Sequence, residues 1–129
     1  NNKDSVKLEE TKEDKDTLKE LLTSLEINLS NENIEKLRSD YNEELITKNI
    51  EILKNHNIDL SVLNENVEIL NDTELNEKLE KLISVGKESR DISLMPSVLV
   101  KYDLKGLNNT ISVLQISGLD PKKVPLMAY

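Results

Sequence analysis

Leu18, Leu21, Leu22 and Leu25 recur at three- and four-residue spacing, which places them on one face of a helix. Thr17 and Glu20 stand at capping-box spacing ahead of them. The polar run from Asn28 to Asn33 breaks the pattern as a turn, and Ser30 is placed to cap a second helix carrying Ile34, Leu37 and Tyr41. Ile46, Ile50 and Leu53 then share one face of a third helix.

From there the pattern repeats. Leu53, Leu82 and Leu114 can be set in register at offsets of 29 and 32 residues. Four residues after each stand Asn57, Gly86 and Gly118, and ten residues after each stand Leu63, Ile92 and Val124. At seventeen, the first two copies carry Leu70 and Leu99. Asn and Gly tolerate the left-handed conformation in which many helices end, so this column predicts helix C-caps at Asn57, Gly86 and Gly118. Asp59, and Asp120 before Pro121, then restart the chain as N-caps of a short second helix. Asp72 or Thr73, and Asp103, are placed to cap the long helix that follows. A fainter copy runs from Leu22 to Leu37, with Ile27 matching Ile58 and Leu29 matching Leu60.

The expectation is an all-α, α-solenoid-like array of two-helix units, roughly 17–44, 45–72, 73–102 and 103–129. One unit cannot bury its stripe alone, whereas stacked units can. Residues 1–16 are almost entirely charged or polar and read as a disordered acidic tail. The start at Asn1 rather than Met reads as a fragment of a larger protein or a processed form.

Composition narrows the classes further. With no Cys, disulfide scaffolds, thiolate zinc sites and Cys nucleophiles are excluded. The compartment stays open between cytoplasmic and exported or cell-surface. Trp and Phe are absent, so Ile, Leu and Val must fill the core. Three Gly and three Pro are too few for the turns of an all-β fold. No apolar run approaches the length of a membrane span.

The second copy, from Leu79 to Asp103, resembles the repeat of the mitochondrial transcription termination factor family. That repeat has a Leu-rich helix, a Gly, a polar turn, a short helix and a Pro followed by hydrophobics. Leu82, Gly86, Ile92, Pro96, Val98 and Leu99 fall on those positions, and the likeness extends over about residues 45–129. It implies an all-α solenoid that binds nucleic acid along a basic groove. The first copy has Val67 in the place of Pro96.

Charge bears on that implication. Nucleic-acid binding needs cations to neutralise phosphates. The chain has a net charge of −8, and residues 1–48 hold 13 acidic and 8 basic side chains, a net of −5. Residues 82–129 hold 4 acidic and 6 basic, a net of +2. The candidate contacts are therefore Lys87, Arg90, Lys101, Lys105, Lys122 and Lys123, with Tyr102 and Tyr129 as stacking partners.

No chemical constellation emerges. His56 is the single His, and it sits in the last turn of a helix, where a cation suits the dipole. No metal site and no cofactor is expected. Glu74, Glu77 and Glu80, with Lys78 and Lys81, read as an exposed face with i,i+4 pairs. The Gly residues stand singly, so no phosphate loop forms. The expected function is a non-enzymatic module that binds a macromolecule, first a protein or the rest of a longer chain. The alternatives are nucleic-acid binding or a structural domain of a surface protein.

Overall fold

The computed structural model describes residues 17–129; the tail predicted over 1–16 lies outside the described residues. Among the described residues there are seven α-helices and no strand. They are α1 (17–24), α2 (Asn31–Arg38), α3 (Glu43–Asn55), α4 (Leu75–Ser84), α5 (Ser89–Leu94), α6 (Ser97–Lys101) and α7 (Leu104–Ile116). Three 3₁₀ segments complete the chain, at Leu60–Asn64, Val67–Asn71 and Leu126–Ala128.

Local chemistry sets the starts. Ser30 accepts a hydrogen bond from the Asn33 N–H at 3.2 Å and so caps α2. Asn42 accepts from the Leu45 N–H at 3.1 Å and caps α3. Asp103 does the same for α7, from the Gly106 N–H at 2.7 Å.

Four helices end alike. After α1 the N–H of Ile27 donates to the Leu22 carbonyl and that of Glu26 to the Thr23 carbonyl. The same pair of bonds follows α3 (Ile58 to Leu53, Asn57 to Lys54), α4 (Lys87 to Leu82, Gly86 to Ile83) and α7 (Leu119 to Leu114, Gly118 to Gln115). This is the Schellman closure, which needs a left-handed residue. Its four left-handed residues are Glu26 (φ 60°), Asn57 (φ 56°), Gly86 (φ 101°) and Gly118 (φ 81°). The unequal spacing of Leu53, Leu82 and Leu114 has a plain cause: α4 has 10 residues and α7 has 13.

The segments after these ends differ from the predicted short helices. After Asn57 the chain forms two five-residue 3₁₀ segments. A 3₁₀ segment closes its bonds one residue earlier than an α-helix. After Gly86 it forms α5 and α6. After Gly118, Asp120 caps a single turn rather than a helix. Its carboxylate accepts from the Lys122 N–H at 3.0 Å, and its carbonyl accepts from the N–H groups of Lys123 and Val124. Pro125 has no N–H and disfavours helical backbone at Val124, so a helix begun at Pro121 does not continue.

In chain order α4 packs on α3, and α7 packs on α4. Behind them the segment Val67–Asn71 touches α2, α3 and α6. Leu22, Leu53 and Leu82 are buried at matching places, as are Leu63 and Ile92, and Leu70 and Leu99. Leu114 and Val124 are only half-buried.

Gly86 carries a second constraint. A Cβ built there would meet the Cβ, Cγ and Cδ of Lys122 at 2.8–2.9 Å, whereas at Gly118 it would meet nothing within 4 Å. Valine at Gly118 thus meets only the left-handed penalty, roughly 1 kcal/mol. At Gly86 it must also displace the root of a side chain. Thermal denaturation is expected to show a clearly larger loss for Gly86→Val than for Gly118→Val. Equal losses would refute the contact with Lys122.

Candidate functional site

The polar groups that stand out by burial lie in the seams between the helices. Asn49 sits four residues before Leu53, inside the apolar stripe of α3, and is 1% exposed. Its amide donates to the carbonyls of Ile69 (3.1 Å), Leu70 (3.0 Å) and Asp72 (2.9 Å). It thereby satisfies the last carbonyls of the second 3₁₀ segment, which would otherwise be orphaned.

Lys78 occupies the matching place before Leu82 and is 5% exposed. Its ammonium bonds the Asp72 carboxylate at 2.7 Å and the Leu99 carbonyl at 2.9 Å. Leu70 and Leu99 are themselves matching positions, so one device recurs with two chemistries. The exposed i,i+4 face predicted for Lys78 is therefore corrected: its partner is Asp72, in the interior, and not Glu74. Glu74 instead accepts from the Leu104 N–H at 3.1 Å and closes the start of α7.

A second seam joins α3 to α4 and α5. His56 forms the C-cap of α3, and its Nε2 lies 3.2 Å from the Asn76 Oδ1. The His56 carbonyl accepts from the Ser89 hydroxyl, and the Asp59 N–H donates to the Ser93 hydroxyl at 3.2 Å. His56 is thus engaged in structure. Asp59 itself is fully exposed, and a hydrogen bond from the Ser61 N–H holds its carboxyl below the usual range.

The third seam involves the cations predicted to meet nucleic acid. Lys87 is 6% exposed, and its ammonium donates to the carbonyls of Lys122 (3.1 Å) and Val124 (2.6 Å), 5.6 Å from the Tyr129 ring centre. This removes Lys87 from the candidate contacts, because burial under two carbonyls leaves no path to a phosphate. Lys101 donates to the Tyr129 carbonyl at 2.9 Å and lies over the Tyr102 ring. Tyr129 is buried and donates its hydroxyl to the Pro121 carbonyl at 2.6 Å. Burial, and then the charge of Asp120, push its phenol up to about 12. A buried Tyr129 offers no stacking face. Hydrogen bonding with Thr110 holds the Tyr102 phenol below its usual range. Arg90, Lys105, Lys122 and Lys123 are exposed and have no acidic partner among the described residues. Of these, Lys122 lies beside Gly86, and Lys105 stands in the first turn of α7.

Among the described residues no group of His, Asp and Glu is disposed to hold a metal ion, and no helix is long and apolar enough to cross a membrane. An open groove between α1 and α3 is lined by Leu21, Glu43, Glu44, Thr47, Lys48 and Glu51. The buried polar groups, the Lys78–Asp72 pair included, hold one helical segment against another. Sequence reasoning missed Asn49, and it read Lys78 as a surface cation and Asp72 as a helix cap, without the ion pair between them. The available signal was a polar residue interrupting an apolar stripe at the same place before Leu53 and Leu82.

No family model, no curated protein and no solved structure matches this chain.

Proposed function

We propose that this chain is a non-enzymatic helical-repeat module that binds a macromolecular partner, a protein or further helical segments of a longer chain. Its units are 17–44, 45–72, 73–102 and 103–129. The observation that supports this reading is the four-fold recurrence of one helix ending, at Glu26, Asn57, Gly86 and Gly118, with α3, α4 and α7 packed in chain order. Such an array touches only nearest neighbours and offers a long surface for another chain. The fold relation to termination-factor repeats belongs to the same proposal. Its nucleic-acid arm is weakened by the net charge of −8 and by the buried Lys87 and Tyr129.

Affinity capture with the intact chain from lysate of its source cells, with and without nuclease, tests the reading. Partners retained after nuclease are expected. A signal that disappears with nuclease would replace the protein reading with the nucleic-acid one.

A further inference from the structure

The seam between α1 and α3 is open where the next seam is closed. Between α3 and α4, His56 and Asn76 bond across the outer edge, and Asn76 donates onward to Glu80. Leu25 and Thr47 hold the matching places between α1 and α3, and Leu25 has no polar group with which to bond. Half-buried Leu21 and exposed Thr47 therefore border a groove instead of a closed edge. Both seams lie within the described chain, with a helix on each side.

The groove is acidic along α3. Glu43 and Glu44 stand in its first turn and Glu51 two turns on, all exposed. Among the described residues none of the three forms an ion pair. Lys48 is the one cation of the lining, so three acidic side chains against one basic leave a net of −2. A first-turn acid suits the helix dipole, which accounts for Glu43 and Glu44. Glu51 lies beyond that reach. It belongs to a row instead: two residues before the register leucine stand Glu20, Glu51 and Glu80, all exposed. A step of two residues turns a helix by about 200°, so this position faces away from the buried leucine. Three successive stacked helices thus turn a carboxylate outward at one register.

We infer that a basic amphipathic helix of a partner protein docks in this groove, which rests on the reading of the chain as a binding module and names its partner's chemistry. Glu44 and Glu51 are seven residues apart, about 10.5 Å along the helix axis. A helix laid along α3 meets both with Lys or Arg at i and i+7. Its side chain at i+3 or i+4 then falls between them, over Leu21 and Thr47, and an apolar one covers the open edge. Charge selects this occupant. Nucleic acid would set phosphates against unpaired carboxylates. A second copy of the chain would bring its own net charge of −8. A basic segment neutralises what the lining leaves uncompensated.

Calorimetric titration of the intact chain with a helix-forming, alanine-based peptide of about 16 residues tests this. The peptide carries two central Leu flanked by Lys at i and i+7. The expected result is a Kd of about 10–100 µM at about 20 mM salt, weakening several-fold at about 200 mM. The same peptide with Glu for Lys is expected not to bind, and with Ala for Leu to bind about tenfold more weakly. Glu44→Lys/Glu51→Lys changes two exposed side chains, so its circular dichroism is expected to hold while its affinity falls about tenfold or more. Glu65→Lys/Glu68→Lys makes the same change of net charge at exposed positions outside the groove, and its affinity is expected to stay within about twofold. Equal losses in the two variants would reduce the attraction to net charge and overturn the inference. Self-association of the free chain that Glu44→Lys/Glu51→Lys abolishes would give the groove to a second copy and overturn it too. No peptide binding, by a chain that still retains protein partners in affinity capture, would overturn the groove and leave the module reading standing. A chain that retains no partner at all would strike the module reading itself.

Discussion

Replacing Lys78 with alanine is expected to lower the unfolding free energy by about 3–5 kcal/mol, the usual scale for breaking a buried ion pair from one side. Lys78 and Asp72 are both largely removed from water, with side chains 6% and 13% exposed. Alanine would leave the Asp72 carboxylate without its cation and the Leu99 carbonyl without a donor. The loss is expected to come mainly from what is left unpaired. The double replacement Lys78→Met/Asp72→Asn should therefore cost less than Lys78→Ala alone. It removes both charges, keeps the methylene packing, and retains an oxygen for the Glu74 N–H. Urea denaturation of the three proteins decides this. A loss below about 1 kcal/mol for Lys78→Ala would mean that the pair is solvated, as surface pairs are.

Leu82→Ala is expected to cost about 2–5 kcal/mol, as full truncations in a packed core do. Leu82 has no exposed surface, and it stands where the Lys87 N–H closes the turn onto its carbonyl. The matching Leu114→Ala should cost markedly less, because Leu114 is only half-buried. Chemical denaturation that gives equal losses at the two positions would show that the register does not track burial.

The hydrophobic pattern made much of the fold legible. Helix ends were readable because a left-handed residue needs Gly or Asn, and a sequence displays that need directly at Asn57, Gly86 and Gly118. Helix starts were readable at Ser30 and Asp103 for the complementary reason: the orphan N–H groups call for a short oxygen-bearing side chain. Glu26 escaped because nothing in its chemistry announces a positive φ; only the register behind Leu22 does. The second-layer elements escaped because the choice between an α-turn and a 3₁₀ turn over five residues rests on packing. The seams were the hardest to read. Lys78 and Lys87 look like surface cations in sequence, and only the carbonyl-rich ends of distant segments draw them inward. The small candidate patch at 82–129 shrank for the same reason.

Glu26 sets the order in which the molecule lets go. The three later helix ends use residues that enter the left-handed region with little penalty, while Glu26 holds it at φ 60° with a full side chain, at roughly 1–2 kcal/mol. The buried Ile27 and Leu29 behind it offset that strain. Yet α1 has no Asn49-like amide, since Leu18 fills that place. Under thermal agitation or a mechanical pull, the chain therefore peels from the α1 end. The Asn49 and Lys78 seams then act as successive ratchets that hold the remainder closed.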